Sequence, residues 1–132
     1  MAPADRVLLV EDDPALRRVV EVSLTVRGYQ VDTAASASTA LELTEHHPDL
    51  IVVDLGLPDM DGVDLVSRLR TSSTVPILVA SARDARTAKV AALQAGADDY
   101  LPKPFDVEQL LNRIRTLLSS QPPNEDPLRS SA

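Results

Sequence analysis

Four apolar runs along the chain each end on a polar or charged residue. Val7–Val10 runs into Glu11, Asp12 and Asp13; Leu50–Val53 into Asp54; Ile77–Ala80 into Ser81; and Tyr100-Leu101 is followed by Lys103. Continuous short apolar runs bounded by turn residues read as strands buried on both faces. Between them the period becomes helical. Asp13-Pro14 reads as an N-cap with proline at the first helical position. Leu16, Val19, Val20 and Leu24 then recur at helical spacing, and Gly28 is placed to end that helix. Gln30–Ala34 returns as a strand, and Ser36 or Ser38 caps a second helix that buries Ala40, Leu41 and Leu43 and stops before Pro48. Leu50–Asp54 is the next strand. A loop marked by Gly and Pro, residues 55–62, leads to a helix carrying Val63, Leu65, Val66 and Leu69. Pro76–Ser81 is the fourth strand, and Asp84–Ala95 a helix with Val90 and Leu93 inward and Gly96 as its cap. Asp98–Leu101 is a short strand, and Asp106 opens a last helix with Leu110, Leu111, Ile114 and Leu117 inside.

Five strands strictly alternating with five helices predict an α/β domain of the (βα)5 type. Its doubly wound parallel sheet is covered on both faces through right-handed crossovers. The carboxyl ends of such strands meet at one edge, where open α/β sheets hold their ligands. Glu11, Asp12 and Asp54 therefore share one crevice with Ser81 and Lys103. Carboxylates in such company repel and raise one another's pKa unless a cation is present, and a hard divalent ion with oxygen ligands, Mg2+, is the natural relief. The chemistry this suggests is magnesium-assisted phosphoryl transfer.

At 132 residues the chain is one domain with a real core. The folding unit is expected over residues 1–119. The stretch 120–132 is polar and proline-rich, and reads as a linker or disordered tail toward a missing effector domain. Thirteen Lys and Arg against twenty Asp and Glu give a net charge of -7. That balance argues against unaided binding of nucleic acid through its phosphates, so DNA would be reached only through the effector. With no cysteine there is neither a disulfide framework nor a thiolate metal site. The N-terminus Met1-Ala2-Pro3-Ala4-Asp5 has no basic cap and leads into only a short apolar run. It is therefore neither a signal peptide nor a membrane span, and the expected location is the cytoplasm without membrane insertion. His46 and His47 stand apart from any ligand cluster and receive no role.

Four segments together resemble the receiver domain of a two-component response regulator: Leu8-Leu9-Val10-Glu11-Asp12-Asp13, the stretch Val53-Asp54-Leu55-Gly56-Leu57-Pro58-Asp59-Met60-Asp61-Gly62, Ala80-Ser81-Ala82, and Tyr100-Leu101-Pro102-Lys103-Pro104-Phe105. Their order along residues 5 to 119 makes the resemblance specific. It implies a flavodoxin-like receiver fold with strand order 2-1-3-4-5. It further implies that Asp54 accepts a phosphoryl group from the phosphohistidine of a sensor histidine kinase, as part of a signalling switch rather than a turnover enzyme. By the same resemblance Asp12, Asp54 and the backbone carbonyl of Gly56 contact Mg2+ directly and Glu11 acts through a bound water. Lys103, aimed by a cis peptide before Pro104, meets the phosphate oxygens; Ser81 donates its hydroxyl to them and vacates a space that Tyr100 fills. Arg83 and Gly56 occupy the positions at which the family tunes access of hydrolytic water. The stretch Asp98–Asp106 is similar to the subfamily with winged-helix DNA-binding output, which implies transcriptional control and a phosphorylation-driven homodimer through the fourth helix, fifth strand and fifth helix. Lys89, Asp99 and Arg113 would be its charged contacts, with Gln109 standing where that subfamily usually has glutamate opposite Lys89.

Two readings from other classes compete. An aspartate-nucleophile phosphatase of the haloacid dehalogenase type needs a second aspartate two residues after the first, where this chain has Gly56. A flavin carrier of the flavodoxin type must cradle a phosphate in its first loop, which Glu11-Asp12-Asp13 would repel. A receiver acting alone by protein contact is the nearer alternative.

Overall fold

The apolar runs are the strands of one sheet. In the computed structural model, which describes residues 4–120, these are β1 (Arg6–Val10), β2 (Gln30–Ala34), β3 (Leu50–Val53), β4 (Ile77–Ser81) and β5 (Asp99–Pro102). All pair in parallel in the order β2-β1-β3-β4-β5. The helices are α1 (Pro14–Val26), α2 (Ala37–Leu43), α3 (Gly62–Ser72), α4 (Ala85–Ala95) and α5 (Val107–Ser119), with a 3-10 turn at Thr44–His46 between α2 and β3. The expected fold class is the one observed. The linker or tail expected over 120–132 lies outside the described residues beyond Ser120.

Continuous apolar strands feed two cores because successive side chains point to opposite faces of a sheet. Leu8, Val10, Ile51, Val53, Ile77 and Val79 pack with residues of α2, α3 and α4. Val7, Leu9, Leu50, Val52, Leu78 and Ala80 pack with α1 and α5, through Val20, Leu24, Leu110, Leu111 and Ile114. Each fully buried Val, Leu or Ile contributes roughly 1.5–3 kcal/mol relative to exposure, so a polar residue within any of these runs would cost more than one strand end.

The helices start where the sequence signals them. Asp13 caps α1 by accepting the Ala15 and Leu16 amides. Ser36, not Ser38, caps α2. Asp84 caps α4, and Asp106 with Gln109 forms a capping box on α5. The expected inward set of α4 is corrected: Val90 is 51% and Leu93 39% exposed, while Ala88 and Ala92 face the core. The alanines four apart let α4 lie close to its neighbours, and Val90 and Leu93, two and five positions from Ala88, then point away. Val19 is likewise exposed, since α1 packs on Val20 and Leu24. β3 ends at Val53, leaving Asp54 just outside it, and β5 lies one residue later than expected.

Candidate functional site

Three backbone hydrogen bonds carry the sheet's pairing past its strand ends and bring the polar residues together. Glu11 N donates to Ala34 O at 2.9 Å, Asp54 N to Val10 O at 2.9 Å and Lys103 N to Ser81 O at 2.8 Å. Asp54 is 7% exposed and Glu11 4%, whereas Asp12 is open to solvent. One carboxylate oxygen from each of Glu11, Asp12 and Asp54 lies within 4.8 Å of the others. Lys103 Nζ donates to Glu11 Oε1 at 2.7 Å and stands 3.6 Å from Asp54 Oδ1. The Lys103-Pro104 peptide is cis.

Burial pushes the Glu11 carboxyl above the usual carboxylate range. The Lys103 ammonium and the Asp13 amide, which donates at 3.1 Å, pull it back, and the Asp54 charge pushes it up again. Three carboxylates therefore gather beside one ammonium, and every ligand atom they offer a metal is an oxygen. That set fits a small hard divalent cation and would suit a soft metal poorly.

Arg17 of α1 fixes the acidic loop, its Nη1 donating to the carbonyls of Glu11 at 2.9 Å and Asp12 at 3.4 Å. Ser81 is buried at the end of β4, and its Oγ accepts the Arg83 amide at 3.2 Å. Tyr100 is buried on β5, and its hydroxyl donates to the Arg83 carbonyl at 3.4 Å. Gly56 donates its amide to Asp54 Oδ1 at 3.3 Å and bridges to Asp61 across the loop. Of the residues expected at the strand ends, Glu11, Asp12 and Lys103 thus lie beside Asp54, while the side chains of Ser81 and Tyr100 meet the backbone of Arg83. Lys89, Asp99, Gln109 and Arg113 do not; they lie on α4, β5 and α5. There Lys89 is exposed, Arg113 Nη1 donates to Asp99 Oδ2 of the same chain at 2.8 Å, and Gln109 Oε1 accepts the Asp106 amide at 3.0 Å. Glu108 pairs with Arg27, the C-cap of α1, at 2.6 Å. Neither histidine joins the cluster; His46 faces Asp32.

Two contributors escape a reading of the sequence. A Cβ on Gly62 would sit 2.4 Å from Leu55 Cα and 2.7 Å from the Asp54 carbonyl, so only glycine lets α3 start this close to the acceptor. Asp59 reaches from the same loop to accept the amides of Ala37 at 2.8 Å and Ser38 at 3.0 Å, tying the loop to the start of α2. Those amides hold its carboxyl below the usual range. The loop composition shows glycine and aspartate, but not what each will touch.

The family model for the response regulator receiver domain matches residues 7–115. The transcriptional regulatory protein KdpE of Mycobacterium tuberculosis is 49% identical over 110 residues, covering 83% of this chain and 49% of the relative. The response regulator MprA of Mycobacterium sp. strain KMS is 46% identical over 124 residues, covering 92% and 54%. The chain thus spans about half the length of these curated relatives. Among solved structures, a CheY-like response regulator receiver domain from Methanospirillum hungatei superposes with a TM-score of 0.83 at 30% identity, covering 88% of this chain and 94% of the other. The beryllofluoride-activated N-terminal receiver domain of RstA from Klebsiella pneumoniae does so at 0.83 and 30%, covering 89% and 100%.

Proposed function

This chain belongs to the response regulator receiver domain family, and from that premise we propose that it is a phosphorylation-operated switch with Asp54 as acceptor. The supporting observation is the buried Asp54 carboxylate at the end of β3, flanked by Glu11, Asp12 and the Lys103 ammonium. An Asp54 oxygen attacks the phosphorus of a phosphohistidine on a sensor histidine kinase. The O–P bond forms as the P–N bond breaks, and the electron pair leaves on the imidazole nitrogen, which is protonated. A carboxylate is a weak nucleophile, so the site contributes position and charge rather than base catalysis. Asp12, Asp54 and the Gly56 carbonyl would hold Mg2+, with Glu11 acting through water. When bound, the ion supplies positive charge against the phosphoryl oxygens. Lys103 offers a second positive charge within reach of the same oxygens, and Ser81 a hydroxyl donor. With Gly56 in place of a second aspartate, the domain turns over no external substrate.

The readout is assigned to α4, β5 and α5, with Lys89, Asp99, Gln109 and Arg113 at a two-fold contact between phosphorylated copies. The named role of the KdpE relative supports transcriptional control as the output, through DNA held by an effector domain. The protein acts in the cytoplasm beside its kinase; among the described residues no helix is long and apolar enough to cross a membrane.

The test is intact-mass measurement after incubation with acetyl phosphate and magnesium. One added phosphoryl group is expected, lost with chelator and absent in Asp54→Asn. Labelling of Asp54→Asn to the parental extent would overturn the assignment.

A further inference from the structure

Arg83 touches Ser81, Tyr100 and the loop that carries Asp54. Its Nη1 donates to both oxygens of Asp61 at 3.1 Å, and its Nη2 to the carbonyl of Leu55, the residue after the acceptor, at 3.1 Å. Its amide donates to Ser81 Oγ, and its carbonyl accepts the Tyr100 hydroxyl. Asp61 is itself fixed: it caps α3 by accepting the Val63 amide at 2.8 Å and bridges to Gly56. The guanidinium fork therefore ties the loop between β4 and α4 to the loop that carries Asp54. A planar fork can hold a carboxylate and a carbonyl together, which an ammonium on a flexible stem cannot do with the same geometry.

Resting on the reading of Asp54 as phosphoryl acceptor, we infer that Arg83 is the positioning residue through which the state of Asp54 reaches Tyr100. When Ser81 turns its hydroxyl toward a phosphoryl oxygen, it leaves the Arg83 amide. The Arg83 carbonyl, one peptide unit away, carries the Tyr100 hydroxyl. With the side chain anchored on Asp61 and Leu55, that movement is forced into a defined shift of residue 83, so Ser81 and Tyr100 move together. Without the anchor, the segment from Ala82 to Asp84 relaxes on its own and Tyr100 ceases to respond. The fork is open to solvent on one side, with Arg83 and Asp61 side chains 41% and 45% exposed. Its removal therefore leaves the two cores untouched.

The chain contains no tryptophan and two tyrosines, so in a Tyr29→Phe background the emission of Tyr100 reports its own surroundings. The 132-residue chain in that background is activated with beryllofluoride and magnesium, and phosphorylation by acetyl phosphate is followed separately by intact mass. The parent is expected to phosphorylate and to change its Tyr100 emission. Arg83→Ala and Asp61→Asn should still phosphorylate, but with the change in Tyr100 emission on activation reduced by roughly fivefold or more, the lower end of usual coupling between sites. Arg83→Lys should not restore the response, because charge alone does not rebuild the fork. If Arg83→Ala phosphorylates and its Tyr100 responds as in the parent, the inference is overturned while the acceptor assignment stands. If the parent takes up no phosphoryl group, the acceptor assignment fails and this inference with it.

Discussion

Replacing Gly62 by alanine tests how tightly the start of α3 is pressed against the acceptor. The new Cβ would lie 2.4 Å from Leu55 Cα, 2.7 Å from Asp54 O and 3.0 Å from Leu55 Cδ2. Carbon atoms at rest sit about 3.5–4.0 Å apart, so the two segments must separate by roughly 1 Å. The two nearest obstacles are backbone atoms and cannot rotate away. Overpacking of this kind costs about 1–3 kcal/mol, and rigid neighbours place this case at about 2–3. For a domain of this size, with unfolding entropy near 2.1 cal/mol/K per residue, that is a fall of roughly 8–12 °C in Tm. The displaced atoms belong to Asp54 and its neighbour, and a 1 Å misplacement of a reacting group costs up to about 10²-fold in rate. Gly56→Ala is the control, because its Cβ would meet only Asp54 Oδ2, at 3.8 Å, an ordinary contact. Urea melts and the initial rate of labelling by acetyl phosphate measure both effects. If Gly62→Ala stays within about 0.5 kcal/mol of the parent, the range of ordinary surface substitutions, and labels at the parental rate, the close approach plays no part in placing the acceptor.

Magnesium should raise the melting temperature of the unmodified protein, since a ligand bound only by the folded state stabilises it by roughly RT ln(1+[L]/Kd). Asp12→Ala should erase most of that rise, and an equal response in both proteins would remove Asp12 from the metal site. Asp59 is held below its ordinary value of 3.8 by the Ala37 and Ser38 amides. Its contribution is therefore present above 3.8 and lost as pH falls through the lower folded-state value. Asp59→Asn should thus be less stable than the parent at neutral pH, with the gap closing in acid; a gap independent of pH in urea melts would refute this account. Sedimentation of the beryllofluoride-activated protein should show concentration-dependent dimers, with Asp99→Arg monomeric and Gln109→Glu tighter. An exposed ion pair is worth about 0.2–1 kcal/mol, so the latter gain is at most several-fold in Kd. An activated parent that stays monomeric at high micromolar concentration would discard the proposed contact.

Much of this protein was legible in one dimension because its signals are local. A strand buried on both faces must be apolar throughout, and a helix must cap its first amides, so Val7–Val10, Leu50–Val53, Asp13 and Asp106 declare themselves by type and position. Strand ends of a parallel sheet share an edge, so Glu11, Asp12, Asp54, Ser81 and Lys103 could be gathered before any coordinates. Which face of α4 is buried was not local: apolarity favoured Val90 and Leu93, but close packing favoured the alanines, and small residues carry no hydrophobic signal strong enough to announce it. The long-range partners were also beyond the sequence. Asp59 accepts the first amides of a helix some 22 residues earlier, Arg83 reaches Asp61 from the next strand–helix loop, and Gly62 matters only because α3 comes back against Leu55. Residue type supplies a charge, a donor or an absent Cβ, but its partner is set by how the chain returns through space, and only the tertiary structure decides that.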